Sequence, residues 1–169
     1  MHNAFFSVSI AIIGYNTKKE LKNLLYSIQH LQLENYMQVE VIYVDDGSSD
    51  GSYEFFKLFN LKFKKICVKL KCNAGRVVAT EKSFSLANHD WILSVRSNVV
   101  LNENILVQYA LCVVDFPALA YMGKILYTSK DEEFERYLNH KKRGVNSIST
   151  NQHIHYKYLL FGNSLLDNS

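Results

Sequence analysis

The sequence predicts a three-layer α/β/α fold around a mostly parallel sheet, and three observations carry that reading. Short β-branched runs alternate with amphipathic helical stretches along the chain, the order that gives right-handed strand–helix–strand crossovers. The first two such runs are short and rich in Val and Ile, as in buried strands. The chain has 169 residues, 48% of them hydrophobic, with 7 Gly and 1 Pro. That suits one domain with a full core and excludes a disordered tail, a collagen-like fibre or a low-complexity linker.

Residues 7–13 (SVSIAII) form the first strand, stopped by Gly14. Residues 18–32 follow as a helix with Leu21, Leu24, Leu25, Ile28 and Leu31 on one face. A second buried strand, residues 39–44 (VEVIYV), ends in the polar turn Asp45-Asp46-Gly47-Ser48-Ser49-Asp50-Gly51, where Asp50 or Ser52 can cap a helix to about residue 61. Ile66, Val68 and Leu70 alternate with Cys67 and Lys69 in a third strand. Asn73-Ala74-Gly75 opens a helix over residues 76–88, and residues 90–95 (DWILSV) make the fourth strand. An amphipathic helix over 102–114, a fifth strand over 118–127 and a short charged helix over 131–138 complete the pattern. Residues 139–153 are polar, basic and unpatterned, and read as a mobile loop.

Composition narrows the function classes. The net charge, 19 − 16 = +3, is too small to announce nucleic-acid binding. Cys67, Cys72 and Cys112 make an odd count with no CxxC pair, which suits a reduced, cytoplasmic compartment better than a disulfide framework. The first six residues lack the basic start and apolar run of a signal peptide. The most apolar stretch, 105–114, is too short to cross a bilayer, so the chain reads as soluble.

In an open parallel sheet the ligand crevice lies beyond the carboxyl ends of the strands. Residues 14–17, 45–50, 71–76 and 96–98 therefore gather on one edge. Tyr15 offers a flat ring for a nucleobase or, equally, a lid on the core. Asp45 and Asp46 can accept hydrogen bonds from a base and from ribose hydroxyls, or cap the turn. Gly75, at a helix start, lets backbone N–H groups approach a phosphate.

Four segments, VSIAIIGYN (8–16), VIYVDDGSSDG (41–51), Asn73-x-Gly75-xxx-Ala79 and DWILSVRSNVVLNENIL (90–106), resemble in order and spacing the family 2 glycosyltransferases of GT-A fold. The resemblance implies an inverting enzyme that moves a sugar from a nucleotide-diphosphate donor, often a UDP-sugar, to a hydroxyl of a glycan, lipid or protein. It implies that Tyr15, Asp45 and Asp46 hold the nucleoside. One domain over 1–169 is expected, with a nucleotide-sugar-binding part over 1–117 and a partial acceptor-side part over 118–169.

The departures from the family pattern are specific. The Asp-x-Asp that holds a divalent metal against the diphosphate is replaced by Arg96-Ser97-Asn98. Hard cations want carboxylate oxygens, so the usual metal site is expected to be lost, with Arg96 and Asn98 standing where the ion would be. An Arg-Asn pair and a Gly in the helix after Asn73 are replaced by Thr80, Glu81 and Ser83, and Pro-Thr before the Tyr-Asn by Ile13-Gly14. Residues 161–166 resemble the glycine-and-asparagine strand near the acceptor site. No catalytic base is assigned: Asp131, Glu132, Glu133 and Glu135 read most simply as a solvated helix face.

Two functions follow. One is a transferase that works without bound metal, with Arg96 offsetting leaving-group charge. The other is a degenerate copy acting as a binding or partner module. Lys57, Lys62, Lys64, Lys65, Lys69, Lys71 and Arg76 form a basic run that reads as a solvated face or as a patch for anionic lipid. His153 and His155 share one face if extended, a metal pair only if further ligands join it.

Overall fold

The computed structural model describes residues 6–123, 131–140 and 163–168. Its elements are β1 (Phe6–Gly14), α1 (Lys18–Gln29), β2 (Met37–Asp45), α2 (Ser52–Leu58), β3 (Lys64–Lys69), α3 (Arg76–Phe84), β4 (Trp91–Arg96), α4 (Ile105–Asp115), β5 (Ala120–Met122), α5 (Glu132–His140) and β6 (Asn163–Asp167). The sheet order is β3-β2-β1-β4-β6-β5. β1 pairs in parallel with both β2 and β4, and β2 in parallel with β3. β6 is antiparallel to both of its neighbours.

Two apolar faces make the three layers. Val8, Ile10, Ile12, Val41, Tyr43, Leu93 and Val95 point to one side, against Leu21, Leu24, Leu25 and Ile28 of α1, Phe56 of α2 and Leu106 of α4. Ile42 and Val44 point to the other, under Ala79 of α3. The alternation along each strand puts successive side chains in different cores, which is why these strands are apolar at most positions.

Glu40 is a buried charged residue in the middle of β2. Its carboxylate is fully buried and accepts bonds from the Ser9 hydroxyl at 2.8 Å, the Asn88 N–H at 2.9 Å and Lys64 Nζ at 3.1 Å. Burial alone would raise its pKa, but these bonds outweigh that and hold it at about 2. The carboxylate thereby ties β1, β2, β3 and the segment after α3 together.

Several elements stop earlier than the sequence reading expects. α1 ends at Gln29 rather than residue 32, because the Gln32 N–H leaves the helix for Glu103 O at 2.8 Å. α2 ends at Leu58 because Phe59 is extended, and Lys65 Nζ meets the helix-end carbonyls of Phe56, Lys57 and Phe59. α3 ends at Phe84 rather than residue 88, with Asn88 drawn to Glu40. β5 begins at Ala120, after a turn in which the Tyr121 hydroxyl donates to Phe116 O and accepts from the Ala118 N–H. The rest of the expected fifth strand, from residue 124, lies outside the described residues, as does the expected loop from residue 141. Residues 139 and 140 belong to α5.

Candidate functional site

The register sets the carboxyl ends of the strands level: Gly14 faces Asp45, Ile13 faces Arg96, and Asp45 faces Lys69. The loops that follow meet there and are locked to one another. The Asn16 N–H donates to Ser48 Oγ and the Ser49 N–H to Asn16 Oδ1, both at 2.9 Å. Asn16 takes a positive φ of 51° to do so. The Lys18 N–H donates to Asp50 Oδ2 at 2.8 Å. Asp50 also accepts from the Ser52 N–H and hydroxyl, and these bonds outweigh its partial burial and lower its pKa.

Two glycines permit this crowding. A Cβ on Gly14 would lie 2.8 Å from Thr17 Oγ1 and 2.9 Å from the Tyr43 hydroxyl. Gly47, at φ +77°, would place a Cβ 2.6 Å from the Cys72 carbonyl carbon. The loops after β2 and β3 therefore touch backbone to backbone.

Between these loops lies a cavity of about 520 Å³, and Tyr15, Asp46, Gly75, Arg96 and Asn98 all line it. Tyr15 lines the cavity and is 46% exposed, so it does not close the core. Asp46 is 5% exposed, and its two oxygens accept the Ala74 N–H at 2.8 Å and the Gly75 N–H at 3.1 Å. Arg96 and Asn98 are exposed at the end of β4, in a turn closed by the Val99 N–H on Arg96 O.

The two acids after β2 have separate placements. Asp45 is fully buried and is not among the cavity-lining residues; it accepts the Ser48 N–H at 2.7 Å and the Tyr43 hydroxyl at 3.1 Å, and so caps the turn. Burial and the Asp45 charge push the Tyr43 hydroxyl far above its ordinary pKa. Gly75 opens α3 with a positive φ of 89°. Its own N–H donates to Asp46 and to Asn73 Oδ1, both at 3.1 Å, so N–H groups open to a ligand at this helix start are those that follow it.

Sequence reasoning brought Asn16, Asn73 and Arg76 to this edge as members of segments but gave them no roles. It missed Glu20, which lines the cavity from the first turn of α1, one helical turn beyond Asn16; Ala79, quoted only as part of a motif, lines it from α3. Glu81 is exposed and not among the lining residues. In the basic run, Lys62 bonds Leu31 O, Lys64 pairs with Glu40, Lys65 meets the α2 carbonyls and Lys69 lies 3.9 Å from Glu54. Those partners support the reading of a structural and solvated face. Asp131, Glu132, Glu133 and Glu135 sit at the start of α5, none of them in the cavity lining. His153 and His155 lie outside the described residues.

The sequence profile described as Glycosyl transferase family 2 matches residues 9–162 of this chain. The chain belongs to glycosyl transferase family 2. A curated relative, the glycosyltransferase GlyG of Streptococcus pneumoniae, is 30% identical over 100 residues, covering 59% of this chain and 32% of the relative. The chain thus spans about a third of that relative's length. Among solved structures, residues 1–349 of Staphylococcus aureus TarS in complex with UDP superpose with a TM-score of 0.71 at 17% identity, covering 96% of this chain and 47% of that one. Glucosyl-3-phosphoglycerate synthase of Mycobacterium tuberculosis, with Mn²⁺, UDP-glucose and phosphoglyceric acid, superposes with a TM-score of 0.62 at 12% identity, covering 98% and 58%. These likenesses establish the GT-A fold, including its mostly parallel sheet.

Proposed function

We propose that this domain binds a nucleotide-diphosphate sugar, a UDP-sugar in the first instance, and transfers the sugar with inversion to a hydroxyl of a glycan, lipid or protein. The observation that carries the proposal is the single cavity at the carboxyl edge that unites Tyr15, Asp46, Arg96 and Asn98. In this reading the Tyr15 ring packs on the base. Asp46 has lone pairs left after its two backbone bonds, since a carboxylate offers about four acceptor sites, and these take a base N–H or a ribose hydroxyl. Asp45 acts through the turn it caps, holding Asp46 in place. The acceptor oxygen forms its bond to the anomeric carbon as the bond to the diphosphate breaks. The hydroxyl proton passes to a base outside the residues named here, and negative charge grows on the leaving diphosphate. A cytoplasmic setting, including the inner face of a membrane, belongs to the same proposal. The three free thiols support it, and no helix among the described residues is long and apolar enough to cross a membrane.

One observation favours a second reading. The Asp-x-Asp position holds Arg96-Ser97-Asn98, so the domain can retain nucleotide binding as a partner module without transfer. One experiment separates the two: incubate the protein with UDP- and GDP-sugars and candidate acceptors, and follow nucleotide release and binding together. Release above the protein-free rate supports the transferase, and binding without release supports the module. Neither binding nor release overturns both.

A further inference from the structure

Divalent metal is what the family resemblance implies at the end of β4, and the residues present do not fit it. A hard cation needs several oxygen ligands, carboxylates foremost. The corresponding turn offers a guanidinium, a buried serine and an amide: Arg96, Ser97 and Asn98. The acids in the cavity lining are Glu20, on α1, and Asp46, whose two oxygens already hold the Ala74 and Gly75 N–H groups. Among the described residues no group of three or more His, Cys, Asp and Glu is placed to hold an ion.

The same cavity contains an alternative source of positive charge. Arg96 enters it from the end of β4 and Arg76 from the first residue of α3. Both are exposed, and among the described residues neither guanidinium has an ion pair or a hydrogen bond. This distinguishes them from the nearby Lys62, Lys64, Lys65 and Lys69, which have partners within the chain. The start of α3 adds to the field. Its first intrahelical bond runs from the Ala79 N–H to Gly75 O, so the N–H groups of Arg76, Val77 and Val78 precede the ladder at the positive end of the helix. Asp46 holds that helix start in position through Ala74 and Gly75.

We propose that this cavity binds a diphosphate without a metal ion, between the guanidinium groups of Arg96 and Arg76. The two groups supply the counter-charge from fixed sites in the chain, and their planar donors match phosphate oxygens in pairs. The inference deepens the nucleotide-sugar reading and rests on it for the identity of the nucleoside, though not for the diphosphate itself. Arg76 is the new element: the reading of the sequence assigned it no role at the site, and the structure places it in the same cavity as Arg96.

The test is calorimetric titration of the whole chain with UDP, GDP and inorganic pyrophosphate, each in EDTA and again with Mn²⁺. Equal affinity with and without metal is expected. Arg76→Ala and Arg96→Ala should each weaken diphosphate binding about tenfold or more, as loss of a charged hydrogen-bonding partner does. Arg96→Lys should recover part of the loss, and melting temperatures should be unchanged because both side chains are exposed. Uridine, which has no phosphate, should bind all variants alike. Diphosphate binding that requires Mn²⁺ overturns this proposal while leaving the nucleotide-sugar reading intact. Metal-free pyrophosphate binding that depends on both arginines, without any UDP or GDP preference, supports the clamp and overturns the nucleoside assignment. No diphosphate binding under any condition overturns both.

Discussion

Asp46→Asn is the substitution with the clearest expected consequence. Both carboxylate oxygens accept backbone N–H groups, Ala74 at 2.8 Å on Oδ1 and Gly75 at 3.1 Å on Oδ2, in a site only 5% exposed. An amide keeps one acceptor and must turn an NH₂ toward the other N–H. The less costly orientation leaves the oxygen on Ala74, because the Gly75 N–H retains Asn73 Oδ1 at 3.1 Å. One charge-assisted bond is then lost and the other becomes neutral, which costs about 2 kcal/mol. Asp46→Ala removes both acceptors and strands the Ala74 N–H, for about 3 kcal/mol. Urea denaturation followed by Trp91 fluorescence would measure both differences. The ranking Ala worse than Asn, with weaker UDP binding in each because residues 73–76 lose their anchor, is the expected outcome. Unchanged stability in both variants, with UDP binding lost, would refute the reasoning and show that the carboxylate serves the ligand and not the backbone.

Three further outcomes are expected. Glu40 has a pKa of about 2 in the folded chain against 4.5 for the free side chain. Its contribution is therefore fully present above pH 4.5 and lost as pH falls toward 2; it is on the order of 3 kcal/mol, and Glu40→Gln should flatten acid-induced loss of stability over that window in denaturation series. The Thr17 hydroxyl is buried with no hydrogen-bond partner among the described residues, so Thr17→Val should be neutral or stabilising by about 1 kcal/mol in thermal melts, and a loss above that size would reveal a partner. Tyr15→Ala should weaken uridine binding about tenfold, the scale of a base–aromatic stack, while Tyr15→Phe binds normally; equal loss in both would assign the effect to the hydroxyl.

Much of the fold is local, and local features can be read from residues. The largely apolar runs 7–13 and 39–44 announce strands covered on both sides, and Leu21, Leu24, Leu25 and Ile28 announce the face of α1 that covers one of them. Ends were less legible. What stops α1 and α3 is a distant partner, Glu103 for Gln32 and Glu40 for Asn88, while α2 ends where Phe59 turns extended and Lys65 meets the last carbonyls. Propensity carries no information about those partners.

The gathering of Tyr15, Asp46, Gly75, Arg96 and Asn98 on one edge was determined by sequence order alone, because parallel strands joined by crossovers must bring their carboxyl ends to the same side. What each residue does there was decided only by tertiary structure. Asp45 and Asp46 are adjacent and chemically identical, yet one faces Tyr43 and Ser48 in the interior while the other reaches residues 74 and 75 across the site. Successive side chains at a strand's end point in opposite directions, and the elements they meet lie far away along the chain. The role of Arg76 is undetermined in sequence for the same reason: it becomes a counterpart of Arg96 only once β1, β4 and α3 are folded around a common cavity.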